Sequence, residues 1–126
     1  MKLGDIISVS TNANLLNKII GTDYKQWMKC IYPLPNDIDI HMICLNSQDN
    51  GFGWVNKQES KNKIIEKYIG DPKDKLPSHN RMDFAKKRLI FDKRRFYVFK
   101  GLFEMSKDNC TPNYREWNLI SDSYEF

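Results

Sequence analysis

Hydrophobic and polar residues alternate over much of the chain, and this period of two is typical of β-strands with one buried face. The longest such run covers residues 94–105, where the odd positions from Tyr97 to Met105 form one apolar face. Gly101 lies inside this run and predicts a bend or a bulge. Shorter patterns, separated by turn residues, predict further strands at residues 4–10, 24–32, 38–46, around 54 and 114–121.

Two other segments have apolar residues at helical spacing. In residues 11–21, Thr11 or Asn12 can cap the N-terminus of a helix, and Gly21 suits the position after its C-terminus. The apolar residues on one face of this helix are Leu15, Leu16, Ile19 and Ile20. Residues 57–70 are ambiguous, because a short helix would also accommodate their apolar residues, which are Ile64, Ile65, Tyr68 and Ile69.

The order of these elements predicts an α+β fold in a single domain that covers residues 1–126. The strands do not alternate regularly with helices, which argues against a doubly wound parallel sheet. We expect a small, strongly bent, mostly antiparallel sheet or a partly open β-barrel, with two or three peripheral helices. A turn at Asn50-Gly51 and a loop at residues 71–80 are predicted between its strands.

Composition is that of a soluble globular protein. Hydrophobic residues make up 40% of the 126 residues and aromatic residues 13%, which is enough for one core and too much for a disordered chain. No segment has the apolar length of a signal peptide or of a membrane span. We therefore expect a cytoplasmic protein that has no membrane partner.

Cysteine and histidine residues lack the spacing of a metal site. Cys30, Cys44 and Cys110 include no C-x-x-C pair, and only His41 and His79 accompany them. This pattern predicts free thiols in a reducing compartment. We expect neither a bound metal nor any other cofactor.

Catalytic motifs are also missing from the sequence. It contains no G-x-S-x-G, no H-E-x-x-H and no Walker-type phosphate loop. His41, with Asp39 two residues before it, fits a general base and its orienting carboxylate. A polar histidine on the outer face of a strand is the more common arrangement, so we expect a protein that is not an enzyme.

Positive charge is concentrated in residues 81–100, which hold eight basic and two acidic residues, while the whole chain has a formal net charge of +4. Such a concentration favours an anionic partner, although charged runs are also common on solvated faces. On one continuous strand these basic residues would point to both faces. A turn near Asp92-Lys93 would instead gather them at one end of a hairpin, as a basic rim beside a pocket.

Each of the three tryptophans has polar neighbours in a predicted strand. The groups are Trp27 with Lys25 and Lys29, Trp54 with Asn56, and Trp117 with Arg115 and Asn118. Aromatic rings stack on nucleic-acid bases with about 1–3 kcal/mol per base, and polar or basic side chains bind base edges and phosphates. Any one of these tryptophans would equally suit a hydrophobic core, whereas a core position for all three together is less expected.

Two blocks of the sequence resemble modules that precede some bacterial HNH and related restriction-type endonucleases. The first is GTDYKQWMKCIYPLPNDIDIHMICL with the later GFGWVN, and the second is RLIFDKRRFYVFKGLFEM with the later YREWNLISDSYEF. Such modules look like relatives of the PUA, EVE and SRA β-barrel domains, which bind flipped or modified bases in an aromatic pocket. The resemblance therefore implies a PUA-like barrel that recognises a modified base.

By position, the resemblance also implies roles for seven residues. Those that would line the pocket are Tyr24, Trp27, Trp54 and Asn56, and those that would lie near phosphates are Arg88, Arg94 and Arg95. The 126 residues contain no nuclease domain, so we expect any cutting activity to belong to a separate nuclease partner or to be absent.

Three functions stay open at this point. The favoured one is a non-catalytic nucleic-acid-binding module, in restriction–modification or phage defence, that recognises a modified or flipped base through an aromatic pocket with a basic rim. The second is a sponge or sensor that binds a small nucleotide-derived signal molecule. The third is a protein-interaction module whose tryptophans belong to the core or to an interface.

Overall fold

A computed structural model describes residues 1–27, 31–45, 54–69, 86–111 and 113–126. At Ile38 and Trp54 the description covers the backbone. The turn predicted at Asn50-Gly51 and the loop predicted at residues 71–80 lie outside the described residues.

Eight strands and one helix form the described part of the chain. In chain order they are β1 (Ile6–Ile7), α1 (Asn12–Ile20), β2 (Ile31–Leu34), β3 (Asp37–Cys44), β4 (Trp54–Ser60), β5 (Lys63–Tyr68), β6 (Lys87–Lys93), β7 (Tyr97–Met105) and β8 (Tyr114–Ser121). Each strand that the alternation predicted at residues 4–10, 38–46, 94–105 and 114–121 is present. In the segment predicted as a strand at 24–32, the described residues before Ile31 are not in a strand.

The strands make one unclosed sheet in the order β2-β3-β6-β7-β8-β5-β4, and β1 pairs with β7 outside this path. All pairs are antiparallel except β3 with β6, which are parallel. The predicted bent and mostly antiparallel sheet is therefore confirmed. Over the described ranges it is accompanied by a single helix, α1, rather than by two or three.

The sheet is bent so that side chains from distant strands meet on its concave side. Strands lie about 4.8 Å apart, so a flat sheet would separate β5 from β6 by about 14 Å. Yet Glu66 on β5 and Arg88 on β6 form an ion pair of 2.8 Å, which passes over β7 and β8. Shifts of register in four of the strand pairs provide bends of the kind that β-bulges produce.

Helix α1 begins and ends as its sequence predicts. The Thr11 side chain accepts a hydrogen bond from the Asn14 backbone N–H at 3.1 Å, and Gly21 has a left-handed backbone with φ of 80°. Leu15 and Leu16 are buried against the sheet because they occupy one face of the helix. In the described part of the chain no helix is long and apolar enough to cross a membrane.

Two groups of buried side chains stabilise the fold. The helix-side core lies between α1 and the sheet and comprises Ile7, Leu15, Leu16, Tyr32, Leu34, Ile40, Met42, Leu89, Phe91, Tyr97 and Phe99. The inner core comprises Ile43, Ile64, Ile90, Phe103 and Trp117. Central strands contribute to both cores, which explains why β3 and β6 are buried on both faces.

Residues 57–70, which the sequence left ambiguous, are not helical where the structure describes them. They form a hairpin of β4 and β5, in which Lys57 is opposite Ile65 and Gln58 is opposite Ile64. Ile64 and Ile65 are both buried although they are adjacent in a strand. Pairing of β5 with β8 places Ile64 next to Trp117, and this long-range contact outweighs the helical spacing of the local sequence.

Gly101 divides β7 between the two cores. Gly101 is opposite Ile90, whereas Phe99 is opposite Phe91, so one extra residue of β7 lies between these pairs. Tyr97 and Phe99 therefore belong to the helix-side core, while Phe103 belongs to the inner core. The predicted bulge at Gly101 is confirmed. The odd positions from Tyr97 to Phe103 are buried, as the alternation predicts, but the bulge places them on two faces of the sheet rather than on one.

Substitution Gly101→Ala is expected to destabilise the fold by at least about 1–3 kcal/mol, the range for backbone strain. Gly101 has φ of 110°, and a Cβ there would lie 2.5 Å from Leu119 Cδ1 and 2.9 Å from the Ser121 backbone oxygen. Urea denaturation would measure the change. Gly21→Ala is the matched control, because Gly21 also has positive φ but no atom within 4 Å of a Cβ. Equal destabilisation of the two variants would contradict the close contacts at Gly101.

Candidate nucleic-acid interface

The concave side of the sheet holds a buried group of charged side chains, which we call the polar cluster: Glu66, Arg88 and Arg115. Glu66 Oε2 accepts a hydrogen bond from Arg88 Nη1 at 2.8 Å. Arg115 is directly opposite Glu66 in the β5–β8 pair, and its Nη1 lies 3.5 Å from Glu66 Oε1. Two guanidinium groups thus flank one carboxylate inside the protein.

Arg88 is also held by an aromatic ring. Its guanidinium carbon lies 3.9 Å from the centroid of the Trp117 ring, a close cation–π contact. Arg88 is 3% exposed and Trp117 is 0% exposed. Removal of one partner from such a buried ion pair strongly destabilises the fold, because the other charge is left buried without compensation. The charged groups of the cluster are therefore constrained to stay close to one another.

Burial changes the acid–base behaviour of the cluster and of its neighbour His41. Burial lowers the pKa of Arg115, while the nearby Glu66 acts in the opposite direction. His41 is opposite Arg88 in the β3–β6 pair, and burial followed by the positive charge of Arg88 lowers the pKa of its imidazole. His41 is therefore kept neutral beside the guanidinium.

The expectation that His41 lies on the outer face of a strand is wrong. His41 is buried because β3 is flanked by β2 and β6 and has a core on either side. Asp39, the carboxylate suggested as its partner, is exposed near the beginning of β3. Within the described residues, no group of three or more histidines, cysteines or acidic residues is arranged to bind a metal.

Acid is expected to destabilise the protein through His41. Because the folded-state pKa of His41 lies below its ordinary value of about 6.5, the unfolded chain takes up a proton first as the pH falls. Stability should thus fall as the pH decreases from about 6.5 towards the lowered pKa. Urea denaturation of the wild type and His41→Gln between pH 7 and pH 5 would measure it. If the free energy of unfolding depends on pH in His41→Gln as it does in the wild type, the assignment of this pH dependence to His41 is contradicted.

Asn56, one of the predicted pocket residues, lies at the border of the polar cluster. It is on β4, the edge strand of the sheet, directly opposite Glu66 on β5. Residues paired in this way project to the same face, so the Asn56 amide and the Glu66 carboxylate are neighbours. Trp54 is the first residue of the same strand and is paired in register with Tyr68.

Tyr24 and Trp27, the other predicted pocket residues, form an aromatic group with Tyr32. The Trp27 ring centroid lies 5.0 Å from that of Tyr24 and 5.2 Å from that of Tyr32. A side-chain hydrogen bond with Tyr24, together with burial, raises the pKa of the Tyr32 phenol. All three pack on the helix-side core.

The side chain of Asn17 on α1 holds this aromatic group in place. Its amide nitrogen donates to the Tyr24 carbonyl at 2.8 Å, and its amide oxygen accepts from the Tyr24 backbone N–H at 2.8 Å. The group borders a cavity of about 20 Å³, which is roughly the space of one water molecule. In the described conformation this cavity is too small for a base.

The predicted pocket residues are therefore not brought together as one group where the structure describes them. Tyr24 and Trp27 lie beside β2, at one end of the strand order, and Asn56 lies on β4, at the other end. Asn56 adjoins the polar cluster, whereas Trp27 packs on the helix-side core. Their common role in ligand binding stays a prediction.

The basic segment is likewise divided. Arg94 and Arg95 are exposed at the turn between β6 and β7, where Arg94 pairs with Asp92 at 3.0 Å and is 77% exposed in its side chain. Arg88 lies six residues earlier in a strand, about 20 Å away along β6, and is buried by Glu66 and Trp117. This burial argues against a phosphate contact from Arg88, while Arg94 and Arg95 keep that predicted role.

Glu66 was missed by sequence reasoning. It occurs in KIIEKY, which fits a helix as well as a strand, and a lone acidic residue between Ile65 and Lys67 gives no indication of its partners. Its two guanidinium partners come from positions 88 and 115, far away in the chain. The one available indication was that, in a strand, Glu66 shares its face with Ile64 and Tyr68, two positions away on either side.

Comparison with known proteins shows a shared fold rather than a close relative. No protein-family model and no curated protein matches the sequence. A solved structure described as "The 5-Hydroxymethylcytosine-Specific Restriction Enzyme AbaSI" superimposes with a TM-score of 0.74 and 18% identity, over 99% of this chain and 42% of that chain. The chain therefore spans about two fifths of the length of AbaSI.

A second solved structure is described as "DNA recognition domain of the cytosine modification-dependent restriction endonuclease LpnPI". It has a TM-score of 0.52 and 13% identity, and the match covers 94% of this chain and 70% of that chain. At these identities the likeness is one of fold. It confirms the predicted resemblance to recognition modules of restriction systems, and the chain has the fold that these two proteins share.

Proposed function

We propose that this chain is a DNA-binding module that recognises a modified cytosine. The observation that carries the proposal is the likeness of nearly the whole chain to parts of two proteins that are both described by their dependence on modified cytosine. Fold alone does not determine function, so the proposal also requires a site of suitable chemistry.

The neighbouring Asn56 and Glu66 supply that chemistry. A cytosine presents an amino group that donates hydrogen bonds, and carboxylates accept from it. An asparagine amide both donates and accepts, so it suits the ring nitrogen or the carbonyl of the same base. Asn56 is half-buried on the edge strand and Glu66, directly opposite it, is buried, so a base would reach the carboxylate from the border of the sheet, beside Asn56.

Recognition of the edge of a base at such a site requires that the base leave the duplex. Extrusion costs a few kcal/mol, which stacking and hydrogen bonds to the base edge offset. We assign stacking to Trp54, two residues before Asn56 on β4, in agreement with the sequence prediction. Tyr24 and Trp27 are proposed as a second aromatic contact, on the basis of their partial exposure beside α1.

Phosphate contacts are assigned to the turn between β6 and β7. Arg94 and Arg95 are exposed there, and cationic side chains on a turn can follow the backbone of a duplex. Arg88 is left out of this group, since its guanidinium already pairs with Glu66. The proposed module has no catalytic role of its own, and any DNA cleavage would be carried out by a nuclease that acts together with it.

Salt dependence of binding tests the DNA-binding part of the proposal. The affinity for a duplex with one 5-hydroxymethylcytosine should fall as salt rises, because bound phosphates release counterions. The variant Arg94→Gln/Arg95→Gln should reduce the slope of log affinity against log salt by about 0.9 for each phosphate that is no longer neutralised. This double variant should keep the preference of the wild type for the modified duplex over the plain one.

An affinity that depends on neither salt nor modification would contradict the proposal. Free nucleotides provide the second arm of the test. Stabilisation by a nucleotide or cyclic dinucleotide in a thermal-shift assay, without binding to any duplex, would favour the alternative of a small-signal binder.

A further inference from the structure

Arg88 contacts Glu66 from across the concave side of the sheet rather than from a neighbouring strand. In the strand order, β7 and β8 lie between β6 and β5. The hydrogen bond from Arg88 Nη1 to Glu66 Oε2 measures 2.8 Å, and both side chains are more than nine-tenths buried. A charge-assisted hydrogen bond of this length is among the stronger ones in proteins and restrains the position of the carboxylate.

Trp117 fixes the guanidinium itself. Its carbon lies 3.9 Å from the centroid of the Trp117 ring, and this ring is entirely buried in the inner core. A planar guanidinium can stack on a ring and donate in its own plane at the same time, which an ammonium group cannot. Arg88 therefore reaches Glu66 with a defined orientation.

Arg115 acts on the other carboxylate oxygen. It is directly opposite Glu66 on β8, with its Nη1 3.5 Å from Oε1. Arg115 and Arg88 thus approach Glu66 from different strands, and Asn56 adjoins Glu66 from the third side, on β4. The carboxylate is therefore buried between two guanidinium groups, and the half-buried Asn56 lies between it and the edge of the sheet.

We infer that Arg88 is a positioning residue that determines base specificity through Glu66. This inference rests on the proposed function, because it assigns Arg88 a part in the recognition of the modified cytosine. The basic residues of the segment that sequence analysis grouped together then have two separate roles. Arg94 and Arg95 contact phosphates and set the affinity for any duplex, while Arg88 orients the group that distinguishes one base from another.

The test compares the affinities of the wild type, Arg88→Met and Arg88→Lys for duplexes that differ only in one 5-hydroxymethylcytosine. In Arg88→Met the preference for the modified duplex should fall on the order of ten-fold, since about that much discrimination comes from one good contact to a base edge. The salt slope and the affinity for plain duplex should stay at wild-type values. Arg88→Lys should have an intermediate preference, because its ammonium keeps the charge but cannot stack and donate together.

A double variant separates positioning from a general effect on the fold. If Arg88 acts through Glu66, then Glu66→Gln/Arg88→Met should have the same preference as Glu66→Gln alone. Lys63→Met is the matched control: Lys63 pairs with Glu116 at 3.2 Å on the same two strands, and its removal should leave the preference unchanged.

Several results would overturn the inference. One is a folded Arg88→Met with the wild-type preference, and another is an equal decrease of affinity for both duplexes. If Arg88→Met does not fold, a wild-type preference in Arg88→Lys overturns it instead. A wild type with no preference for the modified duplex would contradict the proposed function, and the role of Arg88 with it. A wild type with a preference that the Arg88 variants retain would contradict the role of Arg88 alone.

Discussion

Substitution Glu66→Gln is expected to destabilise the protein by about 3–5 kcal/mol, the range for removal of one partner from a buried ion pair. Glutamine has nearly the same shape but no charge, so Arg88 and Arg115 would stay buried without the carboxylate between them. Urea denaturation at neutral pH would measure the change in the free energy of unfolding.

Glu116→Gln is the matched control for this prediction. Glu116 follows Arg115 on β8 and is paired with Lys63, whose side chain is 41% exposed, and with the Asn109 amide. Both of these partners can reach solvent, so removal of the Glu116 charge should destabilise the fold much less. Similar destabilisation of the two variants would show that the Glu66 cluster does not contribute in the way its burial indicates.

Trp117→Ala is expected to destabilise the fold by about 3–5 kcal/mol, as large-to-small changes of buried aromatic residues do. Trp117 is completely buried in the inner core and also carries the guanidinium of Arg88 on its ring face. Trp117→Phe is the control, because it keeps an aromatic face for Arg88 and should be destabilised much less. Chemical denaturation would rank the variants. If Trp117→Phe were as unstable as Trp117→Ala, the ring contact with Arg88 would contribute little.

Local sequence predicted the elements whose determinants are themselves local. The cap at Thr11 and the turn at Gly21 fix α1, and both depend only on residues within a few positions. The alternation from Tyr97 onwards predicted β7, and Gly101 predicted its bulge. These features follow from backbone geometry and side-chain period, which do not require knowledge of the partner strand.

Features that depend on distant partners could not be predicted in this way. The helical spacing of Ile64 and Ile65 was misleading because β5 lies between β4 and β8 and is stabilised by their pairing. Arg88 belongs to a basic run and was expected near phosphates. Its burial depends on Glu66, 22 residues away, and on Trp117, which lies on a different strand.

The candidate site was predicted only in part for the same reason. Asn56 was selected from its position near Trp54, and it does lie beside the polar cluster. The local sequence of its neighbour Glu66 gives only a weak indication of burial, since an isolated glutamate is far more often exposed. Tyr24 and Trp27 were grouped with Asn56, but they pack on the helix-side core, and their part in binding remains a prediction.

Recognition of a modified cytosine can be measured by competitive binding to duplexes that carry cytosine, 5-methylcytosine or 5-hydroxymethylcytosine at one position. The wild type should prefer one of the modified duplexes over the plain one by about ten-fold or more. Asn56→Ala, a change on the edge strand, should remove most of this preference while the salt dependence stays the same. Equal affinity of the folded wild type for all three duplexes would contradict recognition of a modified cytosine by this protein.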